Sequence, residues 1–439
     1  MKNMRELALR LMCEWEAEGK YINLAVNSHF LDGISREERA SLTALLYTAV
    51  EKKLSYDYYI AALSKRSLDK IDARVLNILR LGACQIIDMK SIPDFAAVNE
   101  SVKLAKNPGE RAFVNGVLRK IAALSKTGEL PLPPYEKNPA RHYSVKYSIP
   151  LWIVKKMTAR LGEDEAVKLF EAFNSEPDLT ITVNLTKISR ENFLEELKKC
   201  GISAEPSKLS KLSVKILEKM NPKDLFGYEE GLFFVQDEAS ALAVLSLKPE
   251  KNESLFDACA APGGKSFSSA ILMENTGKIV SGDLRESKLS LISGGASRLG
   301  LNSIEVIEND ASEENLENLG AFDKIICDVP CSGLGVISKK SDLRYRSAEG
   351  AAALPDLQYK ILTSTSKYLK PGGVMIYSTC TLLEEENESV VKRFLSETTD
   401  FASVDFEIGN LKSVDGALTL YPHRNGTDGF FIAKLRKVK

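Results

Sequence analysis

The chain has 439 residues, of which 44% are hydrophobic, and this length predicts two or three domains because it is too long for one ordinary core. No apolar stretch approaches the roughly 18 residues that span a membrane, and the first residues lack a signal-peptide pattern, so we expect a cytoplasmic protein without a membrane partner. The net charge is −1, and the seven cysteines are scattered and odd in number, which argues against a disulfide framework.

Residues 1–125 are predicted to form an all-helical domain, because apolar side chains recur there at helical spacing. This part holds 19 basic and 15 acidic residues, whereas residues 231–439 hold 23 and 29. The basic excess suggests a front part that helps to hold a polyanion, but on charge alone ordinary solvated helix faces are the favoured interpretation. The predicted helical segments are Met4–Trp15, Leu42–Leu54, Val75–Met89, Ala96–Lys106 and Arg111–Leu124.

Three further segments follow along the chain. Prolines concentrated between positions 131 and 139 predict an extended linker over residues 126–142. Residues 143–230 are predicted to be a small α+β module, and from 231 to 439 strands alternate with helices, which calls for a mostly parallel sheet. Within the module we expect a helix at Leu151–Phe173, a strand at Leu179–Leu185 and a helix at Ser189–Cys200.

A glycine turn follows the first strand of the C-terminal domain, in the sequence Asp257-Ala258-Cys259-Ala260-Ala261-Pro262-Gly263-Gly264-Lys265. A strand, a tight turn and a helix start are typical of a nucleotide-type site, because a ligand can approach backbone N–H groups there. A phosphate-binding Walker loop would need glycine at position 259, and the three-glycine dinucleotide pattern is absent. On this segment alone, a tight turn that binds no ligand remains an alternative interpretation.

Three later strands of the same domain each end in an aspartate, namely Asp283, Asp310 and Asp328. In a doubly wound fold the carboxyl ends of the strands line one crevice, so we expect these acids to face the same ligand. Asp283 follows the glycine turn by about 20 residues, which suits a ribose hydroxyl pair. Asp310 suits an adenine amino group. One such aspartate could simply cap a helix, but three in succession favour a ligand site.

Two cysteines follow the fourth and fifth strands, Cys331 in Asp-Val-Pro-Cys and Cys380 in Ser-Thr-Cys. Free cysteines are usually small buried hydrophobes, and we interpret Cys13, Cys84, Cys200 and Cys327 in that way. The Pro-Cys and Thr-Cys contexts beside a ligand crevice instead favour a cysteine-dependent methyl transfer. No metal is predicted, because the chain has three histidines and lacks the ligand spacings of zinc sites.

The segments Asp257–Lys265, Asp328–Gly335 and Tyr377–Thr381 resemble the RNA cytosine-5 methyltransferases that use S-adenosylmethionine. Arg111–Arg119 resembles the last helix of a NusB-like domain, the fold of a bacterial antitermination factor. That domain points to the branch of bacterial small-subunit rRNA methyltransferases B (Sun or Fmu), which Ser338–Tyr345 and Pro422–Phe431 also fit. The resemblance spans essentially the whole chain, and it departs at Leu334, where many relatives have threonine.

The resemblance implies a NusB-like RNA-binding domain in residues 1–125 and a second RNA-binding module in residues 143–230. Residues 231–439 would form a Rossmann-like methyltransferase with a mostly parallel seven-stranded sheet. The implied activity is methylation of carbon 5 of a cytosine in 16S rRNA, of the cytosine 967 type. The implied partner is 16S rRNA, free or in early assembly intermediates, and the protein is expected to be a monomer.

Carried over position by position, the resemblance also implies roles for the site residues. Cys380 would be the nucleophile that attacks cytosine carbon 6, Cys331 would assist product release, and Asp328 would position the base. The reverse assignment of the cysteines stays open, because DNA cytosine-5 methyltransferases attack with the Pro-Cys cysteine. S-adenosylmethionine would contact Cys259, Ala260, Ala261, Pro262, Gly263, Gly264, Lys265, Asp283, Asp310 and Asp328.

Two alternatives remain at this stage. One keeps the chemistry and changes the substrate to tRNA or another rRNA site. The other is a non-catalytic RNA-binding or antitermination-like factor, suggested by the NusB-like front part. Such a factor has no reason to keep both cysteines and a complete cofactor crevice, and this observation separates it from an enzyme.

Overall fold

The computed structural model describes residues 4–18, 34–314 and 320–439. These residues divide into two compact units. One comprises Met1–Asn174 with Lys340–Tyr345, and the other comprises Ser175–Lys339 with Arg346–Lys439. The three segment boundaries expected from the sequence, at 125, 142 and 230, remain predictions.

The first unit is built from helices, as its apolar periodicity predicts. Its most buried element is the helix Ala73–Ile87, where the side chains from Val75 to Ile86 are all buried. The helix begins at Asp72, whose carboxylate accepts hydrogen bonds from the backbone N–H groups of Arg74 and Val75. The helices of this unit are Met4–Glu18, Arg36–Glu51, Lys53–Ser64, Ala73–Ile87, Asp94–Lys103, Pro108–Thr127, Pro139–Lys146, Leu151–Leu161 and Glu163–Phe173.

A buried arginine joins three of these helices. The Arg80 guanidinium donates to Asp57 Oδ1 at 2.6 Å through Nε and to Asp57 Oδ2 at 2.9 Å through Nη2. Its Nη1 donates to Glu16 Oε1 at 2.7 Å. Because a buried charge without partners is costly, both carboxylates are needed to keep this arginine inside the helical core.

The segment Lys340–Tyr345 belongs to the first unit although it lies far along the chain. The Arg344 side chain is fully buried and donates to the Phe173 carbonyl oxygen at 2.8 Å and to Asn174 Oδ1 at 2.7 Å. The Tyr345 hydroxyl donates to the Val50 carbonyl oxygen at 2.6 Å. The carbonyl groups of Phe173 and Val50 lie near the C-terminal ends of the helices Glu163–Phe173 and Arg36–Glu51, so these bonds tie the segment to two helix ends.

Three predictions for the first unit differ from the structure. The predicted helix Leu151–Phe173 is two helices, because Gly162 has φ 78° and interrupts the ladder. The segment predicted as Leu42–Leu54 is divided near Lys52, where a second helix begins at Lys53. The predicted linker, residues 126–142, is not extended throughout: one helix continues to Thr127, and Asn138 caps another that starts at Pro139.

The second unit begins with a small antiparallel sheet of strand order β2-β3-β1-β4. The helix Arg190–Lys199 contributes buried Phe193 and Leu197 to a core shared with Ile181 and Val214 of the sheet. The predicted strand and helix of this module are therefore confirmed. The strands are β1 (Leu179–Val183), β2 (Ala204–Pro206), β3 (Ser213–Ile216) and β4 (Phe233–Val235).

A larger, mostly parallel sheet forms the rest of the second unit, with the order β10-β14-β9-β8-β5-β6-β7. The strands from β9 to β7 are parallel, and β14 is antiparallel to β9. An eighth strand, β13, also pairs with β14, on the same side as β10. The sheet is therefore seven strands wide, as predicted. The strands are β5 (Ser254–Asp257), β6 (Lys278–Asp283), β7 (Ile304–Glu308), β8 (Phe322–Asp328), β9 (Leu369–Thr379), β10 (Phe401–Ser403), β13 (Ala417–Leu420) and β14 (Phe430–Lys437), with β11 (Glu407–Ile408) and β12 (Leu411–Lys412) forming a separate pair.

Both faces of this sheet are buried, as a parallel sheet covered by helices requires. Ile326 and Ile376 belong to one core cluster, whereas the preceding residues Ile325 and Met375 belong to another, because successive side chains point to opposite faces. No helix in the described ranges is long and apolar enough to cross a membrane. The helices of this part are Glu238–Leu247, Gly264–Leu272, Glu286–Leu299, Ala348–Ala352, Leu354–Ser366, Glu388–Glu397 and Pro422–Asn425.

Candidate active site

The carboxyl ends of the parallel strands bring most of the predicted site residues to one edge of the sheet. Asp257, Asp283 and Asp328 are the last residues of β5, β6 and β8. β9 ends at Thr379, directly before Cys380. Because β5 lies between β6 and β8, and β8 pairs with β9, these strand ends are neighbours.

The turn between β5 and the next helix is held by its own backbone. The N–H of Ala260 donates to the Gly282 carbonyl oxygen at 2.8 Å, and the N–H of Gly263 donates to the Ala260 carbonyl oxygen at 2.7 Å. Gly263 has φ 111°, and a Cβ there would lie 2.3 Å from the Phe267 ring, so only glycine fits. These N–H groups, which the sequence suggested were bare, therefore shape the turn, with a cis bond before Pro262.

Asp283 and Asn309 form a buried polar corner beside this turn. The Asp283 carboxylate accepts from the N–H of Ala261 at 3.1 Å and from the N–H of Arg285 at 3.2 Å. The Asn309 N–H donates to the Asp283 carbonyl oxygen at 3.1 Å, and Asn309 Oδ1 is buried with no partner among the described residues. A buried unpaired acceptor is costly, so this corner fits a ligand that brings hydroxyl or amino donors, as S-adenosylmethionine does.

Asp310 is placed differently from the other aspartates. It lies two residues beyond β7, is half-buried, and its Oδ1 accepts from the Ser312 N–H at 2.9 Å and from the Ser312 hydroxyl at 2.7 Å. These bonds stabilise the turn after the strand. Its predicted contact with adenine stays a prediction, and the buried Asn309 just before it is a candidate that the search for strand-end acids missed.

Asp328 is held by two side chains. The Lys265 ammonium donates to Asp328 Oδ2 at 2.6 Å, and the Ser378 hydroxyl donates to Asp328 Oδ1 at 2.7 Å. Lys265 itself is buried and lies 5.1 Å from the centre of the Phe430 ring. Each carboxylate oxygen keeps a further lone pair, so Asp328 can still accept a bond from a bound base.

Cys331 and Cys380 lie next to each other, with 3.1 Å between their sulfur atoms. Neither cysteine forms a disulfide, and both are half-buried. The hydrogen bond with Cys380 and burial raise the pKa of Cys331 well above its usual range, and the negative charge of Cys380 acts in the same direction. The geometry brings together the two cysteines that the sequence singled out.

The loop that carries Cys331 packs closely against the C-terminal segment. The Gly335 N–H donates to the Cys380 carbonyl oxygen at 2.9 Å, and the Gly429 N–H donates to the Gly335 carbonyl oxygen at 2.9 Å. A Cβ on Gly335 would lie 1.9 Å from the Gly429 carbonyl oxygen, which leaves no space for any side chain. This explains why glycine is needed at both positions.

Gly335→Ala is expected to destabilise the protein by about 1–3 kcal/mol, the usual cost of overpacking, because backbone must move to admit the methyl group. Denaturant unfolding of the purified variant measures this change. Gly294→Ala is the matched control. Its Cβ meets nothing within 4 Å on the helix Glu286–Leu299, so it should stabilise by about 0.5–1 kcal/mol. Equal stability of the two variants would contradict the close approach of the two loops.

A second ion cluster fixes the two segments that resembled the methyltransferase B branch. The Lys339 ammonium donates to Asp237 Oδ2 at 2.6 Å and to Asp428 Oδ2 at 2.9 Å. Burial, with the Asp237 carboxylate beside it, raises the pKa of Asp428 to about 7. Lys339 therefore keeps the adjacent carboxylates of Asp237 and Asp428 in place, and we assign it a structural role.

Two buried carboxyl groups of this part were given no role from the sequence, namely Asp257 and Glu386. Burial raises the pKa of Asp257 to about 7, and its Oδ2 accepts from the Ser266 hydroxyl at 2.7 Å. Glu386 is fully buried although it belongs to a run of three glutamates that suggests a solvated turn. Its burial depends on tertiary contacts and leaves no local signal. Among the described residues no cluster of three or more His, Cys, Asp or Glu side chains could hold a metal ion.

Comparisons with known proteins agree with this architecture. The family model of "16S rRNA methyltransferase RsmB/F" matches residues 244–436, the NusB family matches residues 2–123, and a ferredoxin-like domain of RsmF/B-like methyltransferases matches residues 149–222. The crystal structure of PH0851 is 26% identical, covers 98% of both chains and has a TM-score of 0.79.

Two curated relatives cover almost the full length. The probable ribosomal RNA small subunit methyltransferase B of Bacillus subtilis is 35% identical and covers 99% of each chain. The ribosomal RNA small subunit methyltransferase B of Shewanella oneidensis is 30% identical, again over 99% of each chain. With its NusB-type front part, its methyltransferase sheet and this identity over the whole length, the chain belongs to the family of ribosomal RNA small subunit methyltransferases B.

Proposed function

We propose that the protein is an rRNA methyltransferase that transfers a methyl group from S-adenosylmethionine to carbon 5 of a cytosine in 16S rRNA, of the cytosine 967 type. The observation that carries this proposal is the pair of thiols 3.1 Å apart beside Asp328. The relatives are named as methyltransferases of small-subunit rRNA, which supports the substrate.

A cysteine nucleophile answers the main chemical difficulty. Carbon 5 of cytosine is a weak nucleophile, and attack of a thiolate on carbon 6 makes carbon 5 enamine-like, which divides one hard step into easier ones. We assign this attack to Cys380, because a second cysteine in a Thr-Cys context after the fifth strand is what the RNA enzymes that the chain resembles add to the Pro-Cys cysteine. The reverse assignment, with Cys331 as the nucleophile, predicts the opposite pattern of covalent adducts in the two alanine variants.

The same pair can also release the product. Release removes the carbon 5 proton, forms the C5–C6 double bond, and returns the electron pair of the S–C6 bond to Cys380. Once Cys380 is bonded to the base, its sulfur carries no negative charge, so one cause of the raised pKa of Cys331 is removed. Cys331 then ionises more easily and can accept the carbon 5 proton as a thiolate.

Asp328 is proposed to hold the Watson–Crick edge of the cytosine. Its free lone pairs can accept from the amino group and from a protonated N3, and Lys265 and Ser378 keep the carboxylate oriented. A fixed charge at this edge stabilises the charge that develops when carbon 6 is attacked. The base must leave its stack to meet a thiolate above its ring, so the substrate is flipped or single-stranded.

The proposed cofactor residues are those of the glycine turn and the strand ends. The unpaired Asn309 Oδ1 and the Asp283 carboxylate fit the donors of S-adenosylmethionine, which supplies the methyl group for carbon 5 when bound. The segment Cys259–Lys265, Asp310 and Asp328 complete the proposed set. We further propose residues 1–125 and 143–230 as RNA-binding parts, with residues 126–142 between them, and a monomeric cytoplasmic protein.

Asp283→Ala is expected to weaken binding of S-adenosylmethionine by about 1–3 kcal/mol, the usual cost of losing a charge-assisted hydrogen bond. Titration calorimetry with the purified protein measures this loss. Asp323→Ala is the control, because Asp323 lies at the opposite end of β8 and bonds Ser254 and Lys370 instead. Wild-type affinity in Asp283→Ala would remove this aspartate from the site.

The proposed function is tested with purified protein, methyl-labelled S-adenosylmethionine and separate transcripts of 16S rRNA and tRNA. We expect label in 16S rRNA, recovered as 5-methylcytidine after digestion to nucleosides. Label in tRNA alone would favour the alternative substrate, and label on another atom would reject the cysteine chemistry. An absence of label in every RNA, with cofactor bound, would favour a non-catalytic RNA-binding factor.

A further inference from the structure

The turn that carries Cys331 is held at three consecutive residues. Polar side chains from three other segments bond its backbone, so the position of the thiol does not depend on the turn itself. The contacts are Gln358 Nε2 to the Pro330 carbonyl oxygen at 3.0 Å, Arg346 Nη1 to the Cys331 carbonyl oxygen at 3.0 Å, and the Ser332 N–H to Glu386 Oε2 at 2.8 Å.

Glu386 is the centre of this arrangement. Its Oε2 also accepts from Gln358 Nε2 at 2.8 Å, and the Tyr377 hydroxyl donates to its carbonyl oxygen at 2.5 Å. Its Oε1 is buried without a partner, and within the described part of the chain Glu386 makes no ion pair. A buried carboxylate with neutral partners is costly, and a neutral side chain of similar size would avoid that cost. The negative charge therefore calls for a functional explanation.

The charge of Glu386 acts on the neighbouring thiol. It is one of the groups that raise the pKa of Cys331, after the bond with Cys380, burial and the charge of Cys380. The contributions of Cys380 end when that sulfur is bonded to the base, whereas burial and Glu386 remain. In the covalent complex Glu386 is thus the charged side chain that keeps the Cys331 thiolate strongly basic.

We propose that Glu386 is a positioning residue for Cys331: its buried carboxylate fixes the Pro330–Ser332 turn and places a negative charge near the thiol that accepts the carbon 5 proton. This inference rests on the proposed function, because it gives Cys331 its role in release. Glu386 does not touch the base. It acts through the backbone N–H of Ser332 and through its charge.

The test compares Glu386→Gln, Glu386→Asp and the control Glu384→Gln. Glu384 is an exposed neighbour in the same short helix, so its replacement removes one charge without touching the turn. Each variant is mixed with labelled 16S rRNA fragment and S-adenosylmethionine, and the covalent adduct is followed over time on denaturing gels. Thermal melting and cofactor titration show whether each variant is folded.

The decay rate of the adduct is measured between pH 6 and about pH 10, a range that covers ordinary and raised thiol pKa values. In the wild type the rate rises with pH as Cys331 ionises. In Glu386→Gln the plateau of the decay rate at high pH should fall about tenfold or more, because the thiol is misplaced. The pH at which the rate is half of its plateau, the midpoint, should fall by about one pH unit, because a negative charge is lost. Glu386→Asp keeps the charge on a shorter side chain, so the plateau of the decay rate should fall and the midpoint should stay unchanged.

The outcomes separate this inference from the proposed function. If Cys331→Ala accumulates adduct while Glu386→Gln decays with wild-type plateau and midpoint, the inference is overturned and the function stands. If wild type and Cys331→Ala form no adduct, the proposed chemistry fails. A lower plateau with an unchanged midpoint in Glu386→Gln would reduce Glu386 to a structural residue and contradict the charge effect.

A second variant keeps the test decisive if Glu386→Gln does not fold. Gln358→Leu retains a side chain of similar size but removes the donor to both Pro330 and Glu386. It should lower the plateau and leave the midpoint where it is in the wild type, because Glu386 keeps its charge. An unchanged plateau in this variant would overturn the positioning role.

Discussion

Cys380→Ala is expected to abolish methylation, by at least about a thousandfold, and to form no covalent adduct with RNA. The reason is that alanine has no sulfur to attack carbon 6, and without that bond carbon 5 stays a weak nucleophile. A radiolabel transfer assay measures the activity, and a denaturing gel measures the adduct. Cofactor affinity should stay close to that of the wild type, since no cofactor contact is assigned to this thiol.

Cys200→Ala is the matched control for this experiment. Cys200 is exposed and caps the helix Arg190–Lys199 through its backbone, far along the chain from the strand ends. Its replacement should leave both activity and adduct formation unchanged. An adduct of normal yield in Cys380→Ala would show that another side chain attacks the base.

Cys331→Ala is expected to have the second large effect, of a different kind. The nucleophile remains, so the variant should attack the base and transfer the methyl group once. It then lacks the thiolate that accepts the carbon 5 proton, so protein linked to RNA should accumulate as a slowly migrating band. Multiple turnover should fall by at least about a hundredfold, the usual contribution of a general base.

The double variant Cys331→Ala with Cys380→Ala gives the control for this band. It should form none, since the adduct depends on Cys380 alone. If the band instead appears with Cys380→Ala and disappears with Cys331→Ala, the two cysteines have exchanged roles. That result would make Cys331 the nucleophile and Cys380 the group that assists release.

The sequence predicted the methyltransferase sheet well because its strands are short apolar segments with polar ends. The strand ends predicted at Asp283 and Asp328 agree with the structure. Periodicity failed where one residue interrupts an otherwise continuous pattern. Gly162 divides a helix through a positive φ, which an apolar pattern does not encode. The proline pattern places Pro139 in an extended linker, whereas this residue suits the first turn of a helix and begins one in the structure.

The candidate site was predictable to the extent that it depends on strand ends. The strand-end positions and the Pro-Cys and Thr-Cys contexts predict that four residues lie together. The structure places these residues at one edge of the sheet: Asp283, Asp328, Cys331 and Cys380. The groups that hold Cys331 were not predictable. Gln358 and Glu386 come from segments 28 positions apart in the chain, and only tertiary packing shows that both bond the same turn.

Mass spectrometry of the adduct shows whether Cys380 forms a bond with cytosine carbon 6. The RNA-linked band of Cys331→Ala, and any adduct trapped with the wild type, are digested with protease and nuclease, and the peptide that carries the nucleotide is sequenced. The account predicts a methylated cytidine attached to the sulfur of Cys380. A nucleotide on Cys331 in the wild type, or an unmethylated base on any other residue, would contradict it.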